Sequence, residues 1–199
     1  SMLAACLDPG WSADQWKKII IETVRRNKLQ DATIRFIVTR GMPKEVVADP
    51  RVFDATIIVW VAPYIFLADE DKRQQGVRLM ISSTRGFPAD SLDPRYKCLD
   101  RLHSQLVRLE ALSAGYDDAI WLDHAGNVSE SAASNIFAVK NDTVYTPAGG
   151  ILRGVTRQTF VDLARSAGFK CEEVNMTPFD LYTADEVFTT STAGGALAA

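Results

Sequence analysis

Glu130-Ser131-Ala132-Ala133-Ser134-Asn135-Ile136-Phe137 sets one carboxylate after a turn, follows it with small residues and ends in a strand. The turn is Gly126-Asn127, and the strand is expected over Asn135 to Val139. Ser131, Ala132 and Ala133 are small enough to let a planar ring approach the backbone beside the acid. On its own, a glutamate at a turn end reads more often as a charge left in water. Its neighbours along the chain give it a different meaning.

Upstream lies Lys97, between a Pro-containing loop (Phe87 to Tyr96) and a helix marked by Leu102, Leu106, Leu109 and Leu112 and closed by Gly115. Tyr96, Cys98, Leu99 and Leu102 are expected to surround the amine with apolar bulk. Desolvation of that kind lowers an amine pKa and makes it a nucleophile toward carbonyls. A lone lysine before a helix is otherwise a surface charge. Downstream, Gly150-Ile151-Leu152-Arg153-Gly154-Val155-Thr156-Arg157 places a glycine turn directly before a helix. Free amides and the dipole at a helix start bind anions, and Thr156 adds a hydroxyl there. Ordinary helix capping would use the same residues. Thr189-Thr190-Ser191-Thr192-Ala193-Gly194-Gly195 offers hydroxyls and glycine amides that can close an anion cup, or form a plain Gly-rich turn. An amine, a carboxylate and two hydroxyl-rich turns in this order are the parts needed to hold pyridoxal 5'-phosphate (PLP).

The rest of the chain supports a mixed architecture. Ser12 and Gln15 form a capping-box pattern, and Trp16, Ile19, Ile20 and Val24 predict an amphipathic helix over 13–26. Strands are expected at Thr33 to Arg40, ended by Gly41-Met42-Pro43, and at Asp54 to Tyr64 as a buried strand. Further strands are expected at Val77 to Ser83, Ala119 to Leu122, Val144-Tyr145 and Glu186 to Thr190. A helix is expected over Thr156 to Ala167, with Phe160, Leu163, Ala164 and Ala167 on one face and Gly168 as the stop. The mixed order indicates an α/β or α+β fold. The charged run Asp69-Glu70-Asp71-Lys72-Arg73 reads as a linker, with a small domain over 1–68 and a larger one over 74–199. A solvated loop inside one domain is the other reading of that run.

Composition narrows the function classes. The chain has 199 residues, 47% apolar and 24% charged, with a net charge of −3 and acids and bases intermixed. A nucleic-acid groove would need a basic face. The longest apolar candidate for a membrane span, Ala55 to Ala68, is interrupted by Pro63. Cys6, Cys98 and Cys171 are odd in number and far apart, which suggests a reducing compartment. With no signal-peptide pattern, the expected location is the cytoplasm. No HExxH, CxxC or Walker-type loop occurs, so no metal site is expected. His103 and His124 read as structural or exposed, and Cys98 as packing.

Taken together, these motifs resemble the class IV, fold-type IV PLP-dependent aminotransferases. That group includes branched-chain and D-amino-acid aminotransferases, (R)-selective amine transaminases and aminodeoxychorismate lyase. The likeness runs from about Leu3 to the last residue. It implies a two-domain, D-amino-acid aminotransferase-like fold and a homodimer. It implies that Lys97 is the Schiff-base lysine and proton shuttle, and that Glu130 binds the pyridinium nitrogen. By the same likeness, Val155, Thr156 and Thr192 hold the phosphate and Leu152 packs on the ring. Ser191, Ala193 and Gly194 would border the substrate, and Arg40 is a candidate for its carboxylate. The implied reaction moves an amino group between an amine or amino acid and a 2-oxo acid.

Subfamily signals diverge. Val38-Thr39-Arg40-Gly41 resembles D-amino-acid and (R)-amine enzymes, and Ser191-Thr192-Ala193-Gly194-Gly195 is closer to the (R)-amine group. Branched-chain enzymes tend to carry a tyrosine five residues after the lysine, where this chain has Leu102. Relatives also begin earlier, with a phosphate-binding arginine, and continue past the Thr-Ala-Gly-Gly turn. A trimmed or reduced homologue is therefore expected. If it is reduced, one charge-assisted phosphate contact is lost. An aminodeoxychorismate lyase-type enzyme and a non-catalytic remnant are the alternatives.

Overall fold

The computed structural model describes residues 1–43, 49–64 and 69–199. The chain divides into two compact units, Ser1–Ile65 and Phe66–Ala199. The expected end of the small domain at 68 falls in 65–68, outside the described residues. The fold is mixed α/β.

Unit 1 opens with α1 (Ala13–Arg26), started by the expected capping box. The Gln15 amide donates to Ser12 Oγ at 3.3 Å, and the Ser12 amide to Gln15 Oε1 at 2.8 Å. Strands β1 (Ala32–Pro43) and β2 (Phe53–Pro63) pair antiparallel. Gly41 does not end β1. The register shifts there and pairing resumes at Met42 with Asp54. Gly41 has φ +66°, and a Cβ at that position would lie 2.0 Å from the Asp54 carbonyl oxygen, so the bulge requires glycine. Nor is β2 buried as expected. Its residues alternate between partly buried and exposed, because a two-stranded ribbon with one helix has one face to cover. Trp16 of α1 packs on Phe36 at 5.8 Å between centroids.

Unit 2 begins with α2 (Glu70–Gln75), capped by Asp69, whose carboxylate accepts from the Lys72 amide at 2.9 Å. Residues 69–73, expected as a linker, are therefore the cap and first turn of a helix. A three-stranded sheet follows, in order β3 (Leu79–Arg85), β4 (Asp118–Leu122), β5 (Val128–Ser131). β3 and β4 are parallel and are joined through α3 (Leu102–Ser113). Five more strands form the second sheet: β6 (Asn135–Lys140), β7 (Thr143–Pro147), β8 (Lys170–Val174), β9 (Glu186–Ser191) and β10 (Gly195–Ala198). Their order is β10-β9-β6-β7-β8, with α4 (Val155–Ser166) connecting the parallel pair β7 and β8. A short α5 (Pro178–Tyr182) precedes β9.

The core lies in unit 2. Ile120, Leu122, Val128, Ile136, Ala138 and Met176 form one cluster. Phe137, Val144 and Val161 form another against α4. There Phe137 stacks on Phe188 at 4.9 Å, and Phe160 of α4 closes on both at 5.0 and 4.8 Å. β5, β8, α5 and β10 were not foreseen from the sequence. They are short, and their apolar content is too small to set a period.

Candidate functional site

Lys97, Glu130 and Leu152 line one cleft in unit 2, with Phe87, Tyr96 and Trp121 among its other walls. The loop before Lys97 is set by a local ion pair. Arg95 donates to Asp93 through its amide and Nε, both at 2.9 Å, and holds that carboxyl down at about 2. Lys97 itself is exposed, and so are Leu99 and Leu102. The apolar enclosure expected from those leucines does not form. They sit at or before the start of α3 and face outward, and the aromatic walls come from elsewhere in the chain.

Glu130 is the second residue from the end of β5. Its Oε2 accepts from the Leu152 amide at 3.0 Å and from Asn135 Nδ2 at 3.2 Å. Burial pushes the carboxyl up to about 7, against the Leu152 amide and the positive charges of Arg101 and Lys97. An acid in this range exchanges a proton near neutrality.

Asn135 ties this acid to the start of α4. Its Nδ2 also donates to the Leu152 carbonyl at 2.8 Å. Its Oδ1 lies so near Gly154 that a Cβ there would come within 2.2 Å of it. Gly154 is the N-cap of α4 and supplies no side-chain cap. The first turn therefore keeps amides with no acceptor among the described residues, at Val155 and Thr156. Val155 is 81% exposed and Thr156 partly buried. Arg157 anchors the same turn from below. It is buried and donates to Thr146 Oγ1 at 3.2 Å, the Pro147 carbonyl at 3.0 Å and Glu173 at 2.8 Å.

The Thr-Ser-Thr-Ala-Gly-Gly segment becomes the β9–β10 hairpin. Ser191 Oγ accepts from the Gly194 amide at 2.9 Å across the turn that carries Thr192 and Ala193. Val155, Thr156, Thr192, Ser191, Ala193 and Gly194 are not among the walls of the Lys97 cleft. Arg40 belongs to unit 1. Its guanidinium donates to the carbonyls of Ala5 at 2.6 Å and Pro50 at 2.8 Å, and lies 4.9 Å from the centre of the Phe53 ring. Those contacts hold the N-terminal segment to the end of β1.

Two cleft residues were missed. Arg101 donates to the Ala132 carbonyl and adds positive charge beside Glu130. His103 is expected from the sequence to be structural or exposed. It lines the cleft between Phe87 and Trp121, at 4.8 and 5.1 Å, and burial lowers its pKa. Its spacing from Lys97 carried no signal, because only the helix turn brings it to the same wall.

The donor set suits a phosphorylated pyridine aldehyde. An amine and a proton-exchanging acid share a cleft, and the neighbouring helix start has amides without acceptors. One further observation fits: Thr190 Oγ1 is buried with no hydrogen-bond partner.

The family model for amino-transferase class IV matches residues 1–199. This chain belongs to the class IV aminotransferases. A Methanocaldococcus jannaschii protein that bears the name of a branched-chain-amino-acid aminotransferase is 39% identical over 196 residues, covering 97% of this chain and 66% of its own. Among solved structures, the Escherichia coli branched-chain amino acid aminotransferase superposes with TM-score 0.93 at 28% identity, over 99% of this chain and 66% of that one. The Thermoproteus uzoniensis branched-chain aminotransferase with norvaline gives 0.91 at 29%, over 99% and 66%. This class IV chain thus spans about two thirds of the length of these relatives. Among its described residues, no helix is long and apolar enough to cross a membrane.

Proposed function

We propose that this chain carries the cofactor-binding part of a PLP-dependent transaminase, moving an amino group between an amino acid or amine and a 2-oxo acid. The observation that carries the reading is the cleft lined by both Lys97 and Glu130, an amine in the same cleft as an acid whose pKa is raised to about 7. When bound there, PLP would supply an electron sink for negative charge at the substrate carbon. Lys97 Nζ would be the anchoring amine and would hold or move a proton there. Glu130 holds a proton that it can pass to a pyridine nitrogen, while Leu152 and Asn135 fix its Oε2. Leu152, which lines the cleft, would pack on the ring. The Val155 and Thr156 amides, with Thr192, take the phosphate.

The names of the relatives support branched-chain amino acids as donors and branched-chain 2-oxo acids as products. Ser191, Ala193 and Gly194 are proposed to border the donor. Lys97→Ala is expected to lose the visible absorbance that wild-type protein gains on incubation with PLP. Adding L-leucine, D-alanine or (R)-1-phenylethylamine to the loaded protein separates the donor classes, with L-leucine expected to bleach that absorbance fastest. A wild-type protein that stays colourless with PLP sinks the reading.

A homodimer is proposed as well. Leu102, Leu106, Leu109 and Leu112 of α3 are 68%, 50%, 56% and 52% exposed, an apolar helical stripe suited to a second copy. The cytoplasm is proposed from the three unpaired cysteines.

A further inference from the structure

Thr190 is 2% exposed, and its hydroxyl is one of two buried side-chain polar atoms without a partner among the described residues. Burying a hydroxyl unpaired costs free energy, so its retention needs a reason. Its position in the sheet supplies one.

In the β6–β9 pairing, Thr190 stands directly opposite Asn135, and Phe188 opposite Phe137. Directly opposed residues of an antiparallel pair share a face, and residues two apart along a strand share it too. Phe137 and Phe188 meet Phe160 of α4, so this is the face that α4 covers. Asn135 and Thr190 lie one face-sharing step further along, toward the helix start. There Asn135 reaches Gly154, the uncapped N-cap. The unpaired hydroxyl thus sits on the covered face, level with amides that also lack acceptors.

We infer that the Thr190 hydroxyl donates a hydrogen bond to the anion held at the start of α4. Resting on the cofactor reading above, this makes Thr190 a binding residue for the phosphate group of PLP. Thr192, by contrast, is exposed in the hairpin turn. The two acceptor-poor amides and this hydroxyl, together with Thr192, would then converge on one phosphate. A hydrogen bond to a charged group is worth more than one between neutral groups.

The test compares wild-type protein with Thr190→Val and Thr190→Ser. Dissociation constants are measured for PLP and for pyridoxal, which lacks the phosphate, and each protein is melted without ligand. Thr190→Val is expected to bind PLP roughly tenfold more weakly while its pyridoxal affinity stays within about twofold. Thr190→Ser keeps the hydroxyl and should stay near wild type. Without ligand, Thr190→Val should melt at or above the wild-type temperature, since it removes an unpaired buried hydroxyl. Three results overturn the inference: unchanged PLP affinity in Thr190→Val, equal losses for PLP and pyridoxal, or a lowered ligand-free melting temperature. If wild type itself fails to favour PLP over pyridoxal, the cofactor reading falls and takes this inference with it.

Discussion

Among the described residues, Glu130 has the most strongly raised carboxyl. Its carboxyl is pushed by burial from an ordinary value of 4.5 to about 7. Between those values the folded chain binds more protons than the unfolded chain, so stability falls as pH rises through that window and levels off above it. The contribution is on the order of 3 kcal/mol. Glu130→Gln keeps an oxygen for the Leu152 amide and removes the titration. Urea unfolding at pH 5 and pH 8 should therefore show the variant gaining on wild type at the higher pH. Parallel pH dependences for the two proteins would refute the assignment. The surface acids Asp93, Glu110 and Asp117 have lowered pKa values, so their effects fall below this window and cancel in the comparison.

The start of α4 is built as an element, from both sides. Arg157 ties its first turn to β7 and β8 through Thr146, Pro147 and Glu173. Gly154 lets Asn135 press against its N-cap. Backbone conformation does not demand glycine here, since φ is −67°. Space does. Gly154→Ala is expected to displace Asn135 and cost about 1–3 kcal/mol in denaturant unfolding, with loss of the Asn135 bond to the Leu152 carbonyl. Unchanged stability would mean that Asn135 gives way freely. The sequence placed α4 to within one residue but oriented it less well. Leu163, expected on the apolar face, is exposed, while Arg157 and Val161 are buried. A buried arginine is invisible to hydrophobic periodicity, because only its three acceptors make burial tolerable.

At the scale of the whole molecule, α3 raises the same issue. Its four leucines predicted the helix, yet Ser104, Val107 and Ala111 are the residues it buries. The small residues allow close packing on Ala119, Trp121 and Ala132, which leaves the leucine stripe outside. If that stripe joins two copies, Leu106→Glu together with Leu109→Glu should convert a dimer to a monomer in sedimentation. Chain stability should then stay within about 0.5 kcal/mol of the wild-type monomer, because the altered residues are already exposed. A double variant that sediments like wild type would dismiss the interface.

The motif order, the helices α1, α3 and α4 and most strands were legible in the sequence. They depend on local quantities: side-chain period, caps, turn glycines and the order of chemical groups. Strand continuity across Gly41, the outward face of α3 and the roles of Asn135, Arg101 and His103 were not legible. Each depends on which distant segments become neighbours: β2 across from Gly41, β4 beneath α3, Gly154 against Asn135, and Phe87 and Trp121 around His103. The ionisation of Glu130 belongs with them, since a carboxyl's pKa is set by the burial and charges that only the folded chain assembles around it.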